Sequence, residues 1–277
     1  MLKKLFFSAA CVLALQATHA QAIKTPAPSP TQSIRQDVGI SSVELVYSRP
    51  AIRGRKVFGD LVPFGKVWRT GANSATRLKF VDDVTIGGKP LKAGEYALYT
   101  IPGADQWEII INKGSANWGT EYKEADDVLR FTVKPTKLES TVESFTMQFA
   151  NLKSTGTDLQ IMWDKTAVAI PISFDVDGKV MAQINNVMNK DNHPYFQAAM
   201  YYLENGKDLN QALAWFDKAV DQNPTAYWIH HQRANTLAKL GKKTEAVAAA
   251  QKSMTLAREQ NNDDYVRLNE KLLANLK

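Results

Sequence analysis

Between residues 43 and 174 apolar and polar residues alternate with a period of two, in short runs rich in Val, Ile, Thr, Phe and Tyr. Residues 43–47, 76–81, 95–101, 107–112, 128–133, 144–149, 158–163 and 167–174 each read as a strand with one face turned to a core. Gly87-Gly88, between Val84-Thr85-Ile86 and Lys89-Pro90-Leu91, marks a hairpin. No helical period separates these runs, so the strands pair antiparallel, and two packed sheets are expected: a β-sandwich over residues 35–178.

The period changes near Val180. Residues 181–277 are composed of helix formers, and Ala212 and Ala246 lie 34 residues apart within QALAWFDKAVDQNP and EAVAAAQKSMTLA, the tetratricopeptide spacing. The first repeat places Phe196, Ala212, Phe216, Ala219 and Pro224 at the small, aromatic and closing-proline positions. The second keeps Ala234, Ala246 and Ser253 but has Ala250 and Arg258 where an aromatic and a proline are usual. The fold class is therefore multidomain, mainly β and then all-α: an antiparallel β-sandwich followed by a short tetratricopeptide-like array. Two repeats fall short of the three that stand alone, so the array is expected to pack on the β-domain or on another subunit, and the concave face of its repeats to receive a protein or peptide partner. Tyr195, Tyr202, Trp215, Tyr227 and Trp228 are its candidate contact residues, though each also suits burial between helices.

The N-terminus carries an address. MLKK, the apolar run LFFSAACVLALQA and a small-x-small site near Ala20 or Ala22 predict a secretory signal peptide over residues 1–22. That run is shorter than the ~20 apolar residues of a membrane span, so no span is expected after cleavage. Residues 23–34 alternate proline with small polar residues and read as a linker. Removing 1–22 takes Lys3, Lys4 and Cys11, so 34 basic residues fall to 32 against 28 acidic ones, a net charge of +4 with no cysteine. An exported chain without disulfides relies on packing, in the periplasm or outside the cell. So weak a field, on a protein sent away from nucleic acid, excludes a nucleic-acid partner.

One stretch fits neither period. Ser48 to Thr76 reads SRPAIRGRKVFGDLVPFGKVWRTGANSAT, with Phe58, Phe64 and Trp68 among turn residues. Six basic residues (Arg49, Arg53, Arg55, Lys56, Lys66, Arg69) face one acid, Asp60, giving a local charge of +5. Long loops held by their own aromatics are where binding groups concentrate. The elements Ser48-Arg49-Pro50, Gly54-Arg55, Phe58-Gly59-Asp60-Leu61-Val62-Pro63, Gly65, Val67-Trp68-Arg69, Gly71-Ala72-Asn73 and Thr76, then Gly94-Glu95-Tyr96-Ala97-Leu98-Tyr99-Thr100-Ile101-Pro102 and Trp107, resemble the bacterial domain of unknown function 2911 over about residues 35–175. The resemblance implies an envelope-directed fold and no particular reaction.

Between Arg35 and Val180 there is no histidine and no cysteine, which removes Ser-His-Asp and Cys-His nucleophiles and imidazole or thiolate zinc sites from this domain. His230 and His231 are adjacent on a helix and point apart, so they do not chelate as an i, i+4 pair would. No metal and no cofactor is expected. Asp175-Val176-Asp177-Gly178 opens like a calcium loop but lacks the closing glutamate, and an Asp-Gly turn leaving the last strand explains it better. What remains is Arg55, Arg69, Asn73 and Thr76, with Tyr96 and Trp107, as a candidate site for an anionic or sugar-like ligand. Two readings follow: a non-enzymatic envelope binding or assembly protein acting through its helical repeats, or a small-ligand binder or hydrolase using this loop, with Glu95 or Asp60 as base.

Overall fold

The computed structural model describes residues 25–114, 121–190 and 193–276, and the chain divides into two units that meet between Phe174 and Asp175. The stretch read as a signal peptide lies outside the described residues.

The first unit contains β1 (Thr31–Val38), β2 (Ser41–Ser48), β3 (Thr76–Phe80), β4 (Val84–Ile86), β5 (Lys89–Leu91), β6 (Gly94–Ile101), β7 (Trp107–Asn112), β8 (Asp127–Val133), β9 (Thr136–Lys153) and β10 (Gly156–Phe174). They form two open antiparallel sheets, ordered β1-β2-β3-β6-β7-β8 and β5-β4-β10-β9. The alternation that predicts the strands also assigns their faces. Leu98, paired with Ile111, and Ile109, paired with Phe131, share one face of the six-stranded sheet. Ala97, Tyr99 and Ile110 take the other, where Tyr122 covers them as a second small cluster. Burial on both faces explains the near-continuous apolar run of β7.

β1 begins inside the segment read as a linker. Its sequence TQSIRQDV exposes every second residue, as an edge strand does, and so few apolar positions gave it no strand signal. β10 joins two runs that the sequence separates. Leu159, Ile161 and Trp163 are buried at odd positions and Val168, Ile170, Ile172 and Phe174 at even ones. Parity changes at a bulge around Asp164, whose φ is +52°, with register shifts on both sides of it.

The second unit contains α1 (Val176–Val187), α2 (Tyr195–Glu204), α3 (Leu209–Gln222), α4 (Tyr227–Lys239), α5 (Lys243–Glu259) and α6 (Asp263–Asn275). Asp175-Val176-Asp177-Gly178 is not a turn: Asp175 caps α1 by accepting from the Gly178 amide at 2.8 Å. Asp177 is then free for Lys207 and Tyr201, each 2.8 Å away. The 34-residue period corresponds to two hairpins, α2/α3 and α4/α5, in which Ala212 and Ala246, Phe216 and Ala250, Ala219 and Ser253 are all buried. Each hairpin turns through a closure in which Lys207 N donates to Tyr202 O and Lys242 N to Leu237 O. The terminal helix α6 is fixed by a buried polar network. His231 Nδ1 lies 2.8 Å from Asn269 Oδ1, Asn269 Nδ2 donates to Ser253 Oγ and Tyr265 O, and Ser253 Oγ donates to Tyr227 O.

Asn269 is fully buried and meets both of its polar functions here. Asn269→Ala is expected to strand His231 and Ser253 and to lower stability by about 2–3 kcal/mol, read from urea unfolding of the helical signal. The hydrogen bonds from Lys207 and then Tyr201 hold the Asp177 carboxyl below its ordinary range. Burial, then the bond to Asp177, pushes the Tyr201 phenol to about 12. Stability from Asp177 is thus present above the ordinary carboxylate range and lost as pH falls through the depressed value. That from Tyr201 is present below 10.0 and lost as pH rises through about 12. In an absorbance titration, Asp177→Asn should move the ionisation of one tyrosine toward the ordinary value.

Candidate functional site

The loop between β2 and β3 is built as a bridge between the sheets. Past Ser48 the chain leaves the first sheet and lies along β9, where Phe145 N donates to Pro50 O at 2.8 Å and Ile52 N to Glu143 O at 2.9 Å. Arg49 reinforces the crossing with bonds from Nε to Phe145 O and from Nη2 to Thr146 Oγ1. Ile52 to Arg55 then form a tight turn closed by Arg55 N on Ile52 O, with φ positive at both central residues, Arg53 (+50°) and Gly54 (+72°). For Arg53 this left-handed conformation costs about 1–2 kcal/mol. It is held by the bonds from Arg53 N to Glu143 Oε1 and from Arg53 Nη2 to Pro28 O.

Farther on, Trp68 pairs with Thr100 at the end of β6, N to O at 2.7 Å and O to N at 2.9 Å. Its ring stacks on Trp163 (5.9 Å, 16°) and meets Phe145 (5.2 Å), Phe58 (6.1 Å) and Trp107 (6.3 Å) edge-on. Such pairs add about 0.5–1.5 kcal/mol each beyond area burial. After it the backbone reverses through Thr70, a buried β-branched residue at φ +55° whose carbonyl accepts from Thr76 Oγ1 at 2.6 Å. Gly71 follows at φ +149°, where a Cβ would stand 3.1 Å from Ser48 O. Indole Nε1 of Trp68 closes the reversal on Gly71 O at 3.1 Å. Arg69 is thus fixed between two anchored neighbours.

Against this loop lies a cleft of about 350 Å³, within the range of small-molecule sites. Arg53, Arg55 and Arg69 line it together with Trp68, Trp163, Leu61, Val62, Pro50 and Ala51, and Pro28 and Ser29 contribute from the chain before β1. Its described lining contains no carboxylate. Arg55 spends its guanidinium on the Ile52 and Ala51 carbonyls, at 2.9 and 2.6 Å. Arg69 does not: its Nε is buried without a hydrogen-bond partner. An unmet donor of this kind costs about 1–3 kcal/mol, more when charged.

The structure therefore brings Arg55 and Arg69 together, among the residues proposed from sequence, and sends the others elsewhere. Asn73 is exposed and clips Ser29 O and Ser48 Oγ, both at 3.2 Å. Thr76 is buried with its hydroxyl on Thr70 O. Tyr96 packs on Phe80 and donates to Lys92 O, while Trp107 is a core residue 5.0 Å from the Phe58 ring. Glu95 pairs with Arg77 and Asp60 is exposed, and neither lines the cleft. Sequence reasoning missed Arg53, whose only signal is its place before Gly54, and Pro28-Ser29, which read as linker.

In the helical unit the five candidate aromatics are half-buried between helices. Tyr202 meets Trp215 at 4.7 Å, Tyr227 meets Tyr265 at 4.9 Å and Trp228 at 5.0 Å, and Lys218 Nζ sits 5.1 Å over the Tyr195 ring. A groove of about 380 Å³ lies elsewhere, lined by Leu203 and Glu204 of α2, Gln232, Asn235, Ala238 and Lys239 of α4, and Leu272 of α6. Trp228 lies one turn before Gln232 on the same stripe of α4. Among the described residues no cluster of His, Cys, Asp or Glu is arranged to hold a metal ion, and no helix is long and apolar enough to cross a membrane.

Comparison with known families gives two matches. A model described as a protein of unknown function, DUF2911, matches residues 29–172, just over half of the chain, and a tetratricopeptide-repeat model matches residues 215–248. No curated protein and no solved structure matches the chain.

Trp68 touches four other rings of its cluster, so Trp68→Ala is expected to cost about 3–5 kcal/mol and to flatten the near-ultraviolet circular dichroism of the β-unit. A loss below 1 kcal/mol in denaturant unfolding would show that the loop is not part of the core.

Proposed function

The chain belongs to the DUF2911 family of proteins of unknown function, and from that premise we propose that it is an exported, non-enzymatic binding or assembly protein whose helical unit grips an extended segment of a partner protein. The observation that carries this reading is the groove across α2, α4 and α6. It presents two carboxamides, Gln232 and Asn235, flanked by Lys239 and Glu204, over an apolar floor of Leu203, Ala238 and Leu272. Carboxamides offer one donor and one acceptor function each, which matches the N–H and C=O groups of an extended peptide without demanding a particular side chain. Asn235 and Gln232 already bond each other at 3.2 Å, an exchange that a peptide backbone takes over without leaving either group unmet. Aromatic faces packed between helices keep the groove walls rigid, so less order has to be imposed on binding.

The charged start, apolar run and small-residue site of residues 1–22 support export, and the absence of cysteine from the rest of the chain suits a fold that needs no disulfide. Binding is favoured over hydrolysis in the β-unit because the arginine cleft brings no described carboxylate within its lining to act as a base.

The test is a triple substitution in the full chain, Gln232→Ala, Asn235→Ala and Lys239→Ala, compared with wild type by cross-linking in cells and mass spectrometry of the envelope fraction. Lys239 is exposed and Gln232 and Asn235 are half-buried groups that bond each other, so the helical signal should hold while one or more cross-linked proteins disappear. An identical set of cross-links from the variant would overturn the reading.

A further inference from the structure

The β-unit carries a cleft of its own, and the residues that line it all belong to that unit. We propose that the cleft beside the β2–β3 loop binds a small organic acid through its carboxylate, with a ring, aromatic or sugar, lying against Trp68 and Trp163.

Three observations converge on this. The first is the unmet donor. Arg69 has Nε buried and unpartnered in a loop where the neighbouring Arg49 and Arg55 guanidinium groups are spent on protein oxygens. Arg69 is among the residues that line the cleft, so a carboxylate entering there meets a guanidinium whose Nε no protein group has taken. The second is the conformation of Arg53. An arginine at φ +50° beside Gly54 is a poor choice for a turn that Asn or Gly would make without strain. Its backbone amide is fixed on Glu143 and one guanidinium nitrogen on Pro28 O, which holds the rest of the planar fork at the cleft. Strain retained at such a position marks a side chain kept for something other than the turn.

The third is the mixed composition of the lining. Three arginines share it with an apolar set, Trp68, Trp163, Leu61, Val62 and Pro50. Inorganic phosphate or sulfate would use the first and leave the second idle. A ring acid uses both, and about 350 Å³ accommodates a single ring with its carboxylate. Planar guanidinium groups match the planar carboxylate, and the exposed part of the half-buried Trp68 offers a sugar or aromatic ring an apolar surface.

The full chain is titrated calorimetrically with glucuronate and benzoate, with their neutral counterparts glucose and benzamide, and with inorganic phosphate. The expected result is saturable binding of glucuronate or benzoate, none of its neutral counterpart at the same concentration, and phosphate at least about tenfold weaker. Arg69→Gln should weaken the ring acid about tenfold or more. Arg53→Asn should weaken it as well while melting no lower than wild type, because asparagine relieves the left-handed backbone. That pairing of weaker binding with undiminished stability is one that a purely structural arginine does not give. The proposal falls if none of the five compounds binds, if phosphate binds as tightly as either ring acid, or if both variants keep wild-type affinity.

Discussion

The insertion of one loop tryptophan between two sheets is the contact on which the β-unit rests. Two open sheets of six and four strands are tied by Tyr47 of β2, whose hydroxyl bonds the Met147 backbone of β9, and by Trp68. Trp68 enters from a loop outside the sheets, stacked on Trp163 of β10 and edge-on to Phe145 of β9 and Trp107 of β7. A side chain that large, delivered by a loop, must arrive at a fixed depth and angle. The pairing with Thr100, the left-handed Thr70 and the closure of indole Nε1 on Gly71 O set both. The arginine cleft follows from the same constraint, since the loop cannot hold Trp68 inward without holding Arg69 in register beside it.

Most of the sheet architecture can be read from the chain because period two and burial are the same fact for a strand with one solvated face. It fails where that identity fails. β1 is an edge strand that buries little, so TQSIRQDV looks like the linker before it. β10 looks like two strands because its buried parity switches at Asp164. The site is legible only in part, for a related reason. Composition reveals that residues 49–69 carry an excess of +5, but which arginine is consumed by protein oxygens and which is left with an unmet donor depends on folded contacts whose sequence separations run from 3 residues to 97. Arg55 and Arg69 were named from residue type and look equivalent there, yet the first donates to Ala51 and Ile52 and the second keeps Nε unpaired.

The helical unit divides along the same line. Its 34-residue repeat is a local pattern, and the buried positions Ala212, Ala246, Phe216 and Ala250 sit where the repeat puts them. Aromatic residues suggest a contact surface because large rings anchor interfaces, but a tetratricopeptide hairpin also needs them between its own helices, and the half-buried Tyr202 and Trp215 rings meet each other there. The groove is lined instead by Gln232, Asn235 and Lys239, whose side chains look unremarkable in a sequence of surface helices. The network from His231 through Asn269 to Ser253 likewise emerges only when α4, α5 and α6 meet.

The bulge at Asp164 makes chain length, and not just residue identity, a structural constraint on β10. On one side Trp163 must meet Trp68; on the other, Ile172 and Phe174 must meet Ile86 and Val84 of β4. The two halves are in opposite phase and the left-handed backbone at Asp164 reconciles them. A substitution at this corner is therefore a local event, whereas gaining or losing a single residue rotates an entire half-strand by half a turn and exchanges its inner and outer surfaces.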